Sequence, residues 1–139
     1  MTPTSTTGAC LCGAVSFTAA LPSRWVAHCH CTRCQQAHGA AFVTWVSVDE
    51  ARVAITDPEH RLRWYRAPGR GDRGFCATCG SPLFFRSGQW PGELHIARAT
   101  FRGAVDRAPQ MHGYYDTHVD WVQVGDDLPR KVDPAASTP

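Results

Sequence analysis

The residues best suited to chemistry in this sequence are its seven cysteines, which all fall into three short clusters. The clusters are Cys10 with Cys12, then Cys29 with Cys31 and Cys34, and finally Cys76 with Cys79. Thiolates at such spacings bind zinc or exchange electrons, whereas an odd number of cysteines fits a set of disulfides poorly. We therefore expect reduced thiols arranged around metal ions.

Two of the clusters together predict a closed zinc site. Cys76 and Cys79 have the spacing of a zinc knuckle, in which one tight turn directs two thiolates at one ion. Cys10 and Cys12 supply a second pair, because structural zinc takes four ligands in a tetrahedron. A glycine follows each pair and relaxes its turn. The alternative, four cysteines buried as apolar core residues, is disfavoured by these repeated Cys-Gly turns.

The middle cluster predicts a second zinc ion with an open coordination position. Cys31 and Cys34 lie one helical turn apart and therefore face the same point, with Cys29 close by. Three protein ligands leave zinc a vacancy, where a water, a thiol or a carbonyl oxygen can enter and be activated. We therefore predict two Zn²⁺ ions per chain, one structural and one catalytic, the catalytic ion being bound by Cys29, Cys31 and Cys34.

Two other interpretations of the middle cluster stay open. A nearby histidine (His28, His30 or His38) could supply a fourth ligand and make the site structural. Cys31 and Cys34 also have the spacing of a redox dithiol, although no βαβ pattern surrounds them. The other aromatic and histidine residues show no ligand spacing, and we expect core or ordinary roles for Trp25, Trp45, Trp64, Trp90, Trp121, His60, His95, His112 and His118.

Short strands separated by turns must position these clusters. Runs of β-branched, aromatic or alternating residues predict strands over residues 14–18, 41–48, 61–66, 83–86, 93–100 and 119–124. Residues 31–38 lack Gly and Pro and predict one short helix. The polar ends lack apolar periodicity, so we expect disorder over residues 1–7 and 131–139 and a single domain over residues 8–130. The predicted fold class is mainly β.

The charge and the apolar pattern of the sequence argue against nucleic-acid and membrane partners. The net charge is only +2, so a nucleic-acid partner has little support. No apolar run could cross a bilayer, and the N-terminus lacks the basic start and apolar stretch of an export signal. We therefore expect a cytoplasmic protein with no membrane partner. Arginines between residues 61 and 73 could bind an anion, but their alternation with Leu62 and Trp64 favours the polar face of a solvated strand.

The residues around the three clusters carry a more specific signal. They read Gly8-Ala-Cys10-Leu-Cys12-Gly-Ala-Val15, Cys29-His-Cys31-Thr-Arg-Cys34-Gln-Gln-Ala-His-Gly39-Ala-Ala-Phe42 and Phe75-Cys76-Ala-Thr-Cys79-Gly80-Ser-Pro-Leu83. In this order they resemble the glutathione-dependent formaldehyde-activating enzymes, grouped with centromere protein V as the GFA/CENP-V family. The segment from His118 to Pro129 is similar to the closing part of such proteins.

The resemblance implies a zinc-bearing β-tent fold of packed antiparallel sheets. It implies that Cys10, Cys12, Cys76 and Cys79 hold the structural ion, and that Cys29, Cys31 and Cys34 hold the catalytic one. The family's named reaction joins formaldehyde and glutathione into S-hydroxymethylglutathione. We therefore expect a zinc-dependent carbon–sulfur lyase whose partners are a small-molecule thiol and aldehyde. The alternative, suggested by the centromere-protein relatives, is a non-enzymatic zinc-stabilised binding module.

Overall fold

The computed structural model describes residues 3–132, which form ten strands and one α-helix. The strands are β1 (Ser5–Ala9), β2 (Ser16–Ala20), β3 (Trp25–Cys29), β4 (Val43–Asp49), β5 (Val53–Thr56), β6 (Leu62–Ala67), β7 (Gly71–Cys76), β8 (Pro82–Arg86), β9 (Glu93–Ala97) and β10 (His112–Gly113). Helix α1 (Thr32–His38) lies between β3 and β4 in the chain. Over the described residues, no helix has the length and apolar character needed to span a membrane. The prediction of a mainly β fold with one short helix is confirmed.

The strands form two sheets that pack on a shared core. β1, β2 and β5 form an antiparallel sheet of three strands, and the other seven strands follow the order β10-β3-β4-β9-β8-β7-β6. Neighbours in the larger sheet are antiparallel except for β10, which runs parallel to β3. The ring of Phe17 in β2 meets the rings of Phe84 in β8 and Phe101 edge to face, at centroid distances of 5.7 and 5.1 Å. Burial of these rings drives the packing of one sheet on the other.

Five of the six predicted strands overlap β2, β4, β6, β8 and β9, but the strand predicted over residues 119–124 is wrong. Those residues form bends and irregular backbone, and the side chain of Trp121 is 68% exposed. At this edge of the larger sheet, His112 of β10 forms a parallel bridge with Arg130 instead. Arg130 therefore occupies the position beside β10, and residues 119–124 have no strand to pair with there.

The predicted disorder of residues 1–7 is wrong for Ser5 to Thr7. β1 pairs with β2 along its whole length, and Thr6 is buried. Lys131, in the predicted C-terminal tail, exchanges backbone hydrogen bonds with His112 and Tyr115. Backbone pairing needs no apolar side chains, so a polar segment can still join a sheet. The remaining predicted ends, residues 1–2 and 133–139, lie outside the described residues.

The cysteine clusters lie where strands end. Cys10 and Cys12 follow β1, while Cys76 ends β7 and Cys79 lies in the turn to β8. Both turns therefore place thiols at the junction of the two sheets. The third cluster lies at the C-terminal end of β3 and in the first turn of α1, on the larger sheet.

Candidate functional site

Four thiols converge between the β1–β2 turn and the β7–β8 turn. The sulfur atoms of Cys10, Cys12, Cys76 and Cys79 all lie within 4.8 Å of one another. The sulfur of Cys12 is 3.7 Å from that of Cys10 and 3.8 Å from that of Cys76. Sulfurs bound at about 2.3 Å to one tetrahedral zinc ion are about 3.8 Å apart, whereas a disulfide bond is only about 2.05 Å long. The donor set and its spacing therefore fit a zinc ion.

Tight turns and hydrogen bonds prepare these thiols for a metal. The glycine after each pair has a positive φ, 83° at Gly13 and 77° at Gly80, which a side chain would strain. Burial raises the pKa of the Cys79 thiol, but the hydrogen bonds from Ser81 help to lower it to about 5. The thiolate is the form that binds a metal ion.

The middle cluster also comes together. The sulfur atoms of Cys29, Cys31 and Cys34 lie within 4.8 Å of one another. Cys31 caps the N-terminus of α1, because its sulfur accepts a hydrogen bond from the backbone N–H of Cys34 at 3.3 Å. The end of β3 and the first turn of α1 thus position three thiols around one point.

Two side chains from neighbouring strands contact Cys34. The indole Nε1–H of Trp45, in β4, donates to its sulfur at 3.4 Å, and the guanidinium nitrogens of Arg73, in β7, lie 3.7 and 3.9 Å from it. Hydrogen bonds from Cys29 and Cys31, together with the charge of Arg73 and the indole, lower the pKa of the Cys34 thiol to about 2, against the effect of burial. These contacts stabilise negative charge on the sulfur.

The structure also shows whether a nearby histidine lies close enough to supply a fourth ligand beside the three thiols. Nδ1 of His28 shares a hydrogen bond with the hydroxyl of Thr44 at 2.7 Å, Nε2 of His30 lies 2.8 Å from Nδ1 of His112, and His38 packs edge-on against an indole. Within residues 3–132, no histidine nitrogen or carboxylate oxygen joins the three sulfurs to make a larger donor group. This arrangement favours the open form of the site.

The three thiols line a cavity of about 740 Å³. Its other walls come from β3, β4, β7, β8 and β9 and from residues near β10. A volume of this size suits a small organic ligand. A molecule in the cavity can therefore reach the thiols directly.

Near the three thiols, the structure contains a series of hydrogen-bonded side chains that was not predicted from the sequence. It runs from His30 to His112, whose Nε2 lies 3.0 Å from both carboxylate oxygens of Asp126. The nitrogen atoms of His28 and His112 and a carboxylate oxygen of Asp126 form a further group within 4.8 Å, but hydrogen bonds already engage His112 with Asp126 and His28 with Thr44. The only sequence signal was the position of His30 between Cys29 and Cys31.

The hydrogen bond between His30 and His112 anchors the segment around His30, so the stability of that segment depends on His112. We expect His112→Leu to lower the free energy of unfolding by about 1–3 kcal/mol, because it leaves the buried nitrogen of His30 without its partner. Chemical denaturation measures this change. His118→Leu is the matched control, since His118 is exposed, and an equal loss in both variants would contradict the prediction.

The arginines between residues 61 and 73 do not form one surface. Arg66 pairs with Asp72 at 2.9 Å on the edge strand β6, whereas Arg73 points to the sulfur of Cys34. In β6, Leu62 and Trp64 are half-buried and Arg63 is exposed. The predicted strand with one polar face is confirmed, while Arg70 and Arg73 line the cavity and Arg73 contacts the sulfur of Cys34.

Together, the fold and its thiol groups define a small β protein with two candidate metal sites built from cysteines. A family model described as "Glutathione-dependent formaldehyde-activating enzyme" (GFA) matches residues 5–117. The chain belongs to this family, which confirms the resemblance seen in the sequence. The family takes its name from an enzyme.

Comparison with solved and curated proteins adds support for the fold. A Rhodobacter sphaeroides protein of known crystal structure is similar with a TM-score of 0.60 and 24% sequence identity, over 70% of this chain and 89% of that chain. At this identity the similarity supports the fold alone. No curated protein matches the chain at a significant level.

Proposed function

We propose that this protein is a zinc-dependent carbon–sulfur lyase that forms or cleaves the adduct of a thiol with a small aldehyde, such as S-hydroxymethylglutathione. The observation that carries the proposal is the group of three thiols on the wall of a cavity, to which residues 3–132 add no fourth donor. Three thiolates and an open side are the donor arrangement of catalytic rather than structural zinc. Membership of a family named for glutathione-dependent formaldehyde activation supports the same reaction.

The proposed ligands divide between the two sites. Cys29, Cys31 and Cys34 would hold the catalytic ion, and Cys10, Cys12, Cys76 and Cys79 the structural one. Zinc at the catalytic site supplies a positive charge that lowers the pKa of an entering thiol or polarises an aldehyde oxygen. Arg73 and the Trp45 indole, both in contact with Cys34, offset the negative charge that three thiolates bring together.

The reaction is an addition, and its reverse is an elimination. The thiol sulfur attacks the carbonyl carbon, so one C–S bond forms while the π electrons of the C=O bond move onto oxygen. The proton lost by the thiol ends on that oxygen, which gives a hydroxymethyl thioether from formaldehyde. No oxidant or reductant takes part. The cavity brings both reactants to the thiol wall, which replaces a bimolecular encounter with a positioned one.

The direct test measures the rate at which formaldehyde and glutathione combine. The zinc-loaded protein is expected to accelerate adduct formation above the spontaneous rate measured with the same concentration of free zinc. Absence of any acceleration, with two zinc ions bound per chain, would reject the proposal. Acceleration equal to that of free zinc would reject it as well.

Arg73 is expected to support this chemistry as a positioning residue. Arg73→Gln should lower kcat/KM by about 10–100-fold and reduce zinc affinity at the three-thiol site, because the neutral amide no longer offsets the charge of Cys34. Steady-state kinetics and the zinc content after mild chelation measure both effects, and Arg73→Lys should restore part of each.

Arg66→Gln is the control for this prediction. Arg66 is exposed on the neighbouring strand, does not line the cavity and pairs with Asp72. If Arg66→Gln and Arg73→Gln lower kcat/KM equally, a general effect of charge would replace the role assigned to Arg73.

A further inference from the structure

The cavity beside the three thiols has an unusual charge balance. Among the described residues, its lining contains four cationic side chains, Arg33, Arg70, Arg73 and Lys131, and no aspartate or glutamate. No carboxylate in the lining competes for these cations, and the three thiols are gathered at one part of the wall, so the cations favour binding of an anion.

Arg73 contacts the sulfur of Cys34, but no carboxylate in the described part of the chain neutralises any of the four cations. None of the four forms an ion pair with a carboxylate, although other arginines of the protein do, such as Arg66 with Asp72 and Arg107 with Asp106. The Nε of Arg33 is buried and has no hydrogen-bond partner among residues 3–132. Buried polar groups are nearly always paired, so this nitrogen on a residue that lines the cavity is a donor available to a bound ligand or to water.

Four aromatic residues form one wall of the cavity. The aromatic wall consists of Trp25, Trp45, Phe85 and Trp90. Phe85 lies 6.0 Å from Trp45 and 6.2 Å from Trp90 between ring centroids, so the wall extends continuously from the thiols to the turn before β9. Arg73 lies over the ring of Phe85 at 4.9 Å, which joins the cationic and aromatic parts of the lining. Formaldehyde is too small to cover such a wall, and glutathione, although it carries carboxylates for the cations, has no aromatic or long alkyl group to pack on it.

We propose that the cavity binds a carboxylate-bearing organic molecule that also carries an aromatic or long alkyl group. The carboxylate pairs with Arg70 and its neighbouring cations, and the apolar group packs on the aromatic wall. This inference rests on the proposed function in one respect: it places the C–S bond of such a molecule at the thiols. The substrate class is then the adduct of an acidic thiol with an apolar aldehyde rather than with formaldehyde.

Binding to the zinc-loaded protein tests the ligand class without requiring turnover. By isothermal titration calorimetry, 4-phenylbutyrate is expected to bind at least about tenfold more tightly than 4-phenylbutanamide, which lacks the charge, and than butyrate, which lacks the ring. Equal binding of 4-phenylbutyrate and the amide would overturn the cationic part of the proposal. Equal binding of 4-phenylbutyrate and butyrate would overturn the aromatic part.

Two variants separate this site from simple carboxylate binding to a metal ion. Arg70→Gln and Trp90→Leu are each expected to weaken binding of 4-phenylbutyrate by about fivefold or more, because both side chains line the cavity. Arg66→Gln and Trp121→Leu are the matched controls, since both side chains are exposed and neither lines the cavity. Binding that both cavity variants leave unchanged, with melting temperatures like those of the controls, would overturn the proposal.

A separate kinetic measurement distinguishes this inference from the proposed function. The adduct of glutathione with phenylacetaldehyde is expected to be cleaved with at least about tenfold higher kcat/KM than S-hydroxymethylglutathione. A preference for the formaldehyde adduct overturns the inference and leaves the proposed function intact. Failure to cleave either adduct, together with tight binding of 4-phenylbutyrate, overturns the proposed function and leaves the binding site intact.

Discussion

Replacing Cys79 by serine is expected to unfold most of the protein. A structural zinc ion contributes roughly 10–16 kcal/mol of apparent binding free energy in small zinc domains, while a whole domain is stable by only about 5–15 kcal/mol. Loss of one of four thiolates therefore removes a contribution as large as the net stability. Circular dichroism and the zinc content of the purified protein measure the outcome.

Thr78→Ala is the control for Cys79→Ser. Thr78 is exposed and lies in the same turn between Cys76 and Cys79, so the variant keeps all four thiols, and the fold and both zinc ions should remain. If Cys79→Ser keeps the melting temperature of the unaltered protein, the four-cysteine group is not a structural metal site.

Cys31→Ser is expected to abolish activity while preserving the fold. Loss of even a residue that orients a metal ligand costs about 10–100-fold in activity or affinity, so loss of a ligand itself should cost more than about 100-fold. Serine is a good helix cap, and its hydroxyl can accept the hydrogen bond that Cys31 now takes from the backbone N–H of Cys34. Kinetics, circular dichroism and metal analysis together should show an inactive, folded chain that has lost one zinc ion.

The comparison of the two serine variants separates the roles of the two sites. If Cys31→Ser unfolds the protein as fully as Cys79→Ser does, both groups are structural and the case for catalysis fails. If Cys31→Ser retains full activity, the three-thiol group takes no part in the reaction.

The cysteine clusters could be predicted because their geometry is local. In Cys76 and Cys79, as in Cys31 and Cys34, a single turn of backbone places both sulfurs on the same side. We could predict that Cys10 and Cys12 share a site with Cys76 and Cys79 because structural zinc takes four ligands. The sequence could not reveal that Arg73 approaches Cys34, because that contact depends on how β7 lies relative to α1.

The cavity could not be predicted for a related reason. Trp25, Trp45 and Trp90 have the pattern of core residues, and alternation along a strand shows which side chains share a face but not whether that face is covered. His112 and Asp126 meet His30 only because β10 returns to pair with β3.

Strand β7 was missed because its composition resembles a turn. It contains Gly71, Asp72 and Gly74, which are rare within strands. A side chain at position 74 would meet the rings of Trp64 and Phe84 at 3.1 and 3.2 Å, so glycine there allows two aromatic side chains to pack over the strand. The packing of these two rings thus requires glycine at position 74, although glycine disfavours strand formation.

The junction between the two sheets has a consequence for how the protein is made. The first pair of cysteines leaves the ribosome long before the second, and the β1–β2 hairpin can close its link to the larger sheet only after β7 and the following turn have been synthesised. Until then the early hairpin presents two thiols that are open to oxidation or to capture of the wrong metal. With the proposed structural zinc at this junction, the yield of correctly assembled chains should depend on the supply of zinc during translation as well as on the strength of the core.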